Sequence, residues 1–281
     1  MVWRLIGDAA ARAGPANMAI DQALLESVQA GGRPAFRFYR WRPACLSFGR
    51  NQPARGLCDP AAAARRGVGI VRRPTGGLAV LHDRELTYAA ALPVGLLGSP
   101  RETYRALNRA LVAGLRALGL AAELAPAAAP APALAAARAA AAPGTNAAGG
   151  VTTAGAALAA GTASCFQAPA PGEVVVGGRK LVGSAQRVER RAILQHGSLL
   201  LDGDQGLIAE LVAGPPAPAP ATLASALGRV PDPAELVEAL CAGFEAALGI
   251  RLAHGTLSRA ERERARALEA HFSSDAWTWR C

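Results

Sequence analysis

The sequence predicts an α+β fold in which a mixed or antiparallel β-sheet has helices packed on it. Short apolar and aromatic runs of strand length recur between longer segments whose apolar residues have helical spacing, and glycine or proline lies at many of their ends. The chain has 281 residues, of which 51% are hydrophobic, so it is long enough to bury a full core. No internal repeat is evident. We therefore expect a single domain over residues 1–281.

Helices and short strands alternate in the first half of the chain. Asn17 is the predicted N-cap of the first helix, which ends at Gly31. "AFRFYRW" and "ACLSFGR" then predict a pair of strands. Asp59 caps a short predicted helix that ends at Gly67 and has proline at its first position. "VGIVRRP", "LAVLH" and "LTYAAALP" predict three strands around a glycine turn, and residues 101–119 predict a long helix.

The second half opens with a low-complexity segment, at about residues 124–161, that contains little besides Ala, Pro, Gly and Thr. Proline and glycine interrupt its alanine runs and few large side chains are present, so we expect a mobile surface loop within one domain. "EVVVGG", "KLVGSAQRV" and "AILQHGSLLLD" predict a three-strand meander that needs partner strands from the first half. Helices are predicted for "DQGLIAELVAG", "PAELVEALCAGFEAALG" and "SRAERERARALEAHF".

Charge and composition limit the classes of partner. The formal net charge of +9 implies acidic partners, but dispersed arginines and only 5% aromatic residues argue against nucleic acid. No apolar run reaches the roughly 20 residues that span a bilayer, and the N-terminus lacks a signal-peptide pattern, so we expect a cytoplasmic protein without a membrane partner. Five scattered cysteines without a CxxC pair argue against a disulfide framework and a zinc site, and we expect no metal or other cofactor.

Lys180 is the only lysine in a chain that contains 30 Lys and Arg residues. A need for positive charge does not explain it, because arginine supplies that charge everywhere else. Unlike a guanidinium, a desolvated ammonium can lose its proton and act as a base, and it can also act as a compact donor in a small site. Lys180 is therefore the first candidate for chemistry, and chance survival in an arginine-rich composition is the alternative.

Three segments combine glycine with functional side chains: "RRPTGGLAVLHD", "GRKLVGSAQ" and "ILQHGSLLL". Glycines let main-chain N–H groups approach a ligand closely, and arginines offer forked donors to a carboxylate or phosphate. Small or polar residues interrupt an apolar strand where a ligand lies against the sheet. The candidate substrate-binding residues are Arg72, Arg73, Thr75, Gly76, Gly77, His82, Gly183, Ser184, Gln186, His196 and Gly197. The alternatives are a basic hairpin with a tight turn, and Gln or His side chains satisfied within the core.

Cys165, in "GTASCFQAP", lies where the low-complexity segment ends. A cysteine nucleophile reacts as its thiolate, which a neighbouring Lys or Arg stabilises. Lys180 follows across a turn at "GEVVVGG", so the two side chains can meet on adjacent strands. An inert, buried cysteine is the alternative.

The motifs "NMAIDQALLE", "RRPTGGLAVLHDRELTYA", "SCFQAP", "GRKLVGSAQRVERRAILQHGSLLLD" and "SSDAWTW" occur in this order. Together they resemble the biotin/lipoate protein ligase superfamily, and most closely its cysteine-based octanoyltransferases of lipoate synthesis. The resemblance covers nearly the whole chain apart from the alanine- and proline-rich segment. It implies the α+β fold of that superfamily's catalytic domain.

The resemblance implies acyl transfer in two steps. The thiolate of Cys165 would attack the octanoyl thioester of acyl carrier protein, and a lysine of a lipoyl-type domain, with glycine cleavage H protein as the expected acceptor, would then attack the acyl-cysteine. Lys180 matches the family lysine that stabilises the thiolate and positions the acyl carbonyl. Main-chain donors around Gly76, Gly77 and Gly183 are candidate contacts to the acyl oxygen. The octanoyl chain would lie in an apolar tunnel.

Three other activities remain open at this point. An ATP-dependent lipoate ligase of the superfamily typically has a third glycine where this chain has Leu78, and an aromatic residue where it has Gln186. A Cys-His hydrolase would pair Cys165 with His82 or His196 but leaves Lys180 without a role. A non-catalytic protein that binds lipoyl domains would keep the fold and tolerate loss of the thiol.

Overall fold

The computed structural model describes residues 1–7, 10–126, 164–166, 169–203, 205–214 and 218–281. Its strands are β1 (Val2–Gly7), β2 (Ala35–Tyr39), β3 (Cys45–Phe48), β4 (Gly69–Arg72), β5 (Val80–His82), β6 (Glu85–Pro93), β7 (Ala122–Leu124), β8 (Val174–Val176), β9 (Arg179–Val188), β10 (Ala192–Leu200) and β11 (Arg251–Gly255). Its helices are α1 (Gly14–Gln29), α2 (Pro60–Arg65), α3 (Pro100–Ala117), α4 (Leu207–Leu211), α5 (Leu223–Leu227), α6 (Pro233–Leu248), α7 (Arg259–Ser273) and α8 (Asp275–Thr278).

The larger sheet is mixed and takes strands from both halves of the chain, in the order β11-β1-β2-β6-β10-β9-β8-β7. β1 runs parallel to both β2 and β11. β10 is antiparallel to β6, β9 is antiparallel to β10, and β8 is antiparallel to β9. β10 pairs with β6, with Gln195 opposite Ala90. The α+β class is therefore confirmed, and so is the prediction that the late meander finds a partner strand in the first half.

Helices cover both faces of this sheet. Phe36 packs in one core with α3 and α6, whereas Tyr39 packs in a second core with α1 and α7. Successive side chains of a strand point to opposite faces, so a strand covered on both sides is apolar at nearly every position. This explains why "LTYAAALP", which forms most of β6, is a continuous apolar run.

A smaller sheet, β4-β3-β5, carries the glycine turn. β3 lies in the middle, parallel to β4 and antiparallel to β5. β4 and β5 are therefore not bonded to each other, so the alternative of a basic hairpin at "RRPTGGLAVLH" is wrong. The chain instead crosses from one side of β3 to the other through residues 73–79, so the PTGG turn lies beyond the end of β3, where the Arg50 N–H donates to the Thr75 carbonyl.

Most predicted helices are confirmed, and their ends follow from capping. Asp59 accepts hydrogen bonds from the first two N–H groups of its helix, and Ser99 forms a capping box with Glu102 at the start of α3. The predicted cap Asn17 is wrong, because α1 begins at Gly14 and the buried Asn17 amide donates to the Arg12 and Arg40 carbonyls.

Other predictions of local structure differ from the fold. β2 and β3 belong to different sheets, so the strand pair predicted for "AFRFYRW" and "ACLSFGR" is wrong. β1, β7, β11, α5 and α8 were not predicted. In the segment 124–161, which was predicted to be a loop, Leu124 belongs to β7. Residues 127–161 of that segment lie outside the described residues. None of the helices in the described ranges is long and apolar enough to cross a membrane.

Candidate active site

The Cys165 thiol and the Lys180 ammonium lie side by side between the two sheets. The N–H of Cys165 donates to the Ala79 carbonyl at 2.8 Å, which fixes the cysteine beside the start of β5. Lys180 is the second residue of β9, and its Nζ lies 3.2 Å from Cys165 Sγ. The side chains meet as the spacing predicted, although Cys165 is not itself in one of the named strands.

All three protons of the Lys180 ammonium have acceptors. Nζ lies 2.8 Å from the Cys165 carbonyl oxygen, 3.2 Å from its Sγ and 2.7 Å from Glu173 Oε1. The lysine is only 3% exposed. One nitrogen thus serves three acceptors that surround it, whereas a guanidinium spreads its donors over a larger planar fork. This geometry accounts for a lysine at a position where arginine would carry the same charge.

Glu173, just before β8, belongs to this site and was missed in the sequence. It is 4% exposed, binds Lys180, and also accepts a hydrogen bond from the Ala170 N–H at 2.7 Å. A carboxylate at the start of the apolar run "EVVV" was the available signal, because a buried carboxylate requires a cation or several donors nearby.

The protonation state of Lys180 decides between the two roles proposed for it. Burial by itself lowers the pKa of Lys180, but the charges of Cys165 and Glu173 and their hydrogen bonds outweigh it and raise the pKa above its usual value. The amine therefore remains an ammonium at neutral pH. This favours the role of compact donor over that of base.

Three other cysteines are poor candidates for a nucleophile. Burial raises the pKa of the Cys45 thiol strongly, and it raises the pKa of Cys58 and Cys241 to about 11. These thiols remain protonated at neutral pH. Cys165 differs from them in having a buried ammonium beside its sulfur.

Arg72 and Arg73 are both buried at the end of β4. Arg72 donates to the main-chain carbonyls of Gly49, Gln52 and Thr278. Arg73 donates to those of Ser47, Gly76 and Leu78. Burial lowers the pKa of Arg73 to about 10, against the effect of negative charge at Cys165, so the guanidinium stays charged at neutral pH. Arg73 thus braces the PTGG turn, whereas Arg72 braces the segment that follows β3. Direct substrate binding by either arginine stays a prediction.

The PTGG turn depends on glycine at close contacts. Gly77 has a φ of +91°, and a Cβ on Gly49 would overlap the Gly77 carbonyl oxygen. The Arg50 N–H donates to the Thr75 carbonyl at 2.8 Å. Beside Gly76, in contrast, a Cβ would meet no atom within 4 Å. The turn is thus held firmly on one side and borders open space on the other.

Two glycines leave room for Cys165, Lys180 and the side chains around them. A Cβ on Gly183 would lie 3.2 Å from both Cys165 Sγ and Lys180 Cε. A Cβ on Gly197 would lie 2.8 Å from Ser184 Oγ and 2.7 Å from a ring carbon of Tyr88. A side chain at Gly197 would force its neighbours to shift, and one at Gly183 would press on the Cys165 and Lys180 side chains, so glycine is the residue that fits both positions without displacement.

A polar network extends from Ser184 into the larger core. Its hydroxyl lies 2.9 Å from the Tyr88 hydroxyl and donates to Asn108 of α3 at 3.1 Å. Gln195 donates to Tyr88 at 2.9 Å and accepts from Gln186 at 3.2 Å. Burial raises the pKa of Tyr88 to about 12, so the phenol keeps its proton. Ser184 and Gln186 are thus positioned by the protein, and their contact with substrate stays a prediction.

His196 joins the PTGG turn to the helix layer below it. Its Nε2 lies 2.5 Å from Thr75 Oγ1, and its Nδ1 lies 3.1 Å from Asp21 Oδ2. Asp21 also binds Arg37 at 2.8 Å in a fully buried ion pair. Burial lowers the pKa of His196, so the ring is neutral, donates to Asp21 and accepts from Thr75.

His82 is enclosed by other side chains. Its ring stacks on Trp41 with centroids 3.9 Å apart. Nε2 lies 2.7 Å from Ser47 Oγ, and Nδ1 lies 3.1 Å from both Glu85 and Ser198. The nitrogens of His82, like those of His196, are therefore engaged with partners other than Cys165, which argues against the Cys-His hydrolase.

Comparison with known proteins shows which family has this arrangement. The family model described as the lipoyl protein ligase A/B catalytic domain matches residues 14–245, more than three-quarters of the chain. The chain belongs to the lipoyl protein ligase A/B catalytic-domain family.

Curated members of this family define its activity further. The octanoyltransferase LipM of Symbiobacterium thermophilum is 39% identical to this chain, over 99% of this chain and 98% of the relative. The octanoyltransferase LipM of Kyrpidia tusciae is also 39% identical, with the same shares covered. These relatives show that the chain is an enzyme, an acyltransferase, so the non-catalytic alternative is wrong.

Solved structures support the fold of this lipoyl protein ligase family member. A bipartite lipoate protein ligase from Thermoplasma acidophilum, analysed together with its E2 lipoyl domain, has a TM-score of 0.74 at 22% identity. The similarity covers 99% of this chain and 96% of that one. At this identity the likeness concerns the fold alone, and it confirms the catalytic-domain fold that the sequence motifs implied.

Proposed function

We propose that this acyltransferase moves an octanoyl group from acyl carrier protein to a lysine of a lipoyl-type domain, through a thioester on Cys165. The observation that carries the proposal is the contact of 3.2 Å between the Lys180 ammonium and the Cys165 sulfur, within a chain whose full-length relatives are octanoyltransferases. Glycine cleavage H protein is the acceptor that we expect.

In the first step the Cys165 thiolate attacks the carbonyl carbon of the donor thioester. A new carbon–sulfur bond forms to Cys165, the bond to the donor sulfur breaks, and the donor leaves as a thiolate. The ammonium of Lys180 stabilises the attacking sulfur and can donate to the oxygen or sulfur that gains charge. Main-chain N–H groups around Gly76, Gly77 and Gly183 are further candidate donors to that oxygen.

In the second step the neutral amine of the acceptor lysine attacks the acyl-cysteine. The carbon–nitrogen bond forms, the bond to Cys165 breaks, and the cysteine thiolate is restored beside Lys180. The nitrogen loses one proton as the amide forms, and the donor thiolate takes one up. The sum is conversion of a thioester and an amine into an amide and a thiol, which needs neither ATP nor a redox partner.

The acyl chain has an apolar surface available beside the thiol. Val80, Phe166 and Leu200 form a buried cluster against which Cys165 packs. Each methylene of the acyl chain that is buried there would contribute about 0.8 kcal/mol to binding. The preferred chain length depends on how far this apolar surface continues.

The proposed partners fit the charge of the enzyme. Acyl carrier proteins and lipoyl domains are acidic, and the formal net charge of this chain is +9. Opposite charges speed the encounter of two proteins, and salt screens them. We therefore expect the apparent second-order rate with either partner to fall as ionic strength rises.

Intact-mass spectrometry tests the proposed intermediate. After incubation with octanoyl-acyl carrier protein and no ATP, the enzyme should gain the mass of one octanoyl group, and Cys165→Ser should not. Cys281→Ser, which removes an exposed thiol, is the control that should still be acylated. The isolated acyl-enzyme should then pass its octanoyl group to apo H protein.

Two results would overturn this proposal. Acylation of the Cys165→Ser protein at a residue other than 165, located by peptide mass spectrometry, would show that the thiol is not the acyl carrier. Transfer that occurs only with ATP and free octanoate would assign the chain to the ATP-dependent ligases of the family instead.

A further inference from the structure

Glu173 makes a buried ion pair with Lys180, on the ammonium that also contacts the Cys165 sulfur. Its carboxylate is 2.7 Å from Nζ and is held from the other side by the Ala170 N–H, also at 2.7 Å. Glu173 and Lys180 are 4% and 3% exposed. A buried charge without a partner is costly, so each group requires the other whenever no further charge lies nearby.

The charge of the site changes during the proposed reaction. With a protonated thiol or an acylated sulfur, Lys180 and Glu173 sum to zero, and with a thiolate the three groups sum to −1. Without Glu173 the same states would carry +1 and zero. Glu173 thus makes the thiolate harder to form, and it keeps the ammonium compensated when the sulfur is acylated and has lost its charge.

We propose that Glu173 is a positioning residue that keeps Lys180 protonated and directed at the sulfur while Cys165 carries the acyl group. This inference rests on the proposed thioester intermediate. In the acyl-enzyme the ammonium must still donate to the carbonyl or to the departing sulfur, and at that stage Glu173 is the carboxylate that holds it. The negative charge of Glu173 also disfavours the thiolate form of Cys165 in the resting enzyme.

Other titratable groups face this trio from the neighbouring elements. They are Arg73 from the PTGG turn, Tyr88 from β6 and Tyr104 from α3. Arg73 stays charged at neutral pH, and burial raises the pKa of both tyrosines. These groups therefore keep the same charge between pH 5 and 9, and changes in that range report on the trio.

The first test measures thiol reactivity in Glu173→Gln, which keeps the shape of the side chain and removes its charge. The background carries Cys281→Ser, so that the exposed thiol does not react. We expect the pH midpoint for alkylation of Cys165 by iodoacetamide to fall by about one unit or more, because a repelling charge is lost. Below the midpoint, alkylation should be about tenfold faster than in the parent.

The second test measures transfer from the isolated octanoyl-enzyme to apo H protein in a single turnover. In Glu173→Gln the lysine has no counterion at this stage and loses its proton at lower pH. We expect transfer to be at least tenfold slower than in the parent at pH 8, and the deficit to grow as pH rises, toward the roughly 100-fold expected for one lost donor. Reactivity and transfer should therefore change in opposite directions, which simple destabilisation does not produce.

Matched variants separate this role from a structural one. Glu261 is an equally buried carboxylate, 3% exposed and paired with Arg4 at 2.6 Å in another part of the molecule. Glu261→Gln should leave both the alkylation midpoint and the transfer rate unchanged. Glu173→Asp keeps the charge, and should keep the parental midpoint while transfer slows less than in Glu173→Gln. If the Gln variant does not fold, the Asp variant still tests the inference, since a lowered midpoint there would contradict it.

The inference is overturned if the midpoint in Glu173→Gln stays or rises, or if transfer from its acyl-enzyme is as fast as in the parent. Failure of the parent enzyme to become acylated would instead overturn the proposed function. The alkylation profile requires no substrate, so it would still report the effect of Glu173 on the thiol.

Discussion

Replacing Lys180 with arginine keeps the positive charge and changes only its shape and reach. We expect this substitution to slow formation of the acyl-enzyme by about 10²- to 10³-fold, the loss typical of a misplaced donor at a developing charge. The reason lies in three acceptors, at 2.7, 2.8 and 3.2 Å, that surround a single nitrogen. The planar guanidinium group of arginine can donate to only some of these three acceptors.

The packing on the Gly183 side of Cys165 and Lys180 is also tight. A methyl-sized atom on Gly183 would already lie 3.2 Å from Lys180 Cε and from Cys165 Sγ. Forcing extra atoms into such packing costs about 1–3 kcal/mol of stability. The rate of acyl-enzyme formation and the free energy of unfolding should therefore both fall. The rate should fall by more than the smaller folded population explains.

The assay is a single-turnover reaction with octanoyl-acyl carrier protein, quenched and read by intact mass, alongside urea unfolding of each variant. Arg179→Lys, at the exposed position next to Lys180, is the matched control and should keep the parental rate. Lys180→Met removes the charge and should be at least as slow as Lys180→Arg. If a folded Lys180→Arg enzyme acylates at the parental rate, charge alone suffices and the geometric argument for the lone lysine fails.

Three further outcomes follow from other contacts. Gly183→Ala should fold but form acyl-enzyme at least tenfold more slowly in the same mass assay, because its Cβ would meet Cys165 Sγ at 3.2 Å. Gly49→Ala should lose about 1–3 kcal/mol in urea unfolding, since its Cβ would overlap the Gly77 carbonyl. Burial lowers the pKa of His196 below its usual 6.5, so the unfolded chain takes up a proton that the native ring does not. The free energy of unfolding should therefore decrease as pH falls from 8 to 5, and His196→Gln should reduce that slope.

The sequence predicted those features that depend on local patterns or on unusual residue choice. The capping signal of Asp59 and Pro60 located the start of α2, and helical spacing located α3 to within one residue of its start. Long apolar runs located β6 and β10, because both faces of the sheet are covered. The lone lysine directed attention to Lys180, since an arginine-rich chain has no other need for an ammonium.

Features that depend on partners far apart in the chain were missed or wrong. The edge strand β11 and its neighbour β1 are stabilised by parallel pairing between segments far apart in the chain, which no local pattern indicates. Asn17 is a residue type that often caps helices, but its side-chain amide instead donates to two main-chain carbonyls inside the fold. Arg72 and Arg73, predicted as ligands for substrate, donate to main-chain carbonyls of the protein.

The amino-acid sequence by itself indicated the fold class through its periodicity, the family through the order of its motifs, and Cys165 and Lys180 as candidates for chemistry through residue type, because these signals are local. Only the tertiary structure decided that Glu173 completes the site with Cys165 and Lys180, and that Lys180 stays protonated. The physical reason is that a buried charge takes its properties from whichever groups the fold brings within about 3 Å of it, and these groups come from separate segments of the chain.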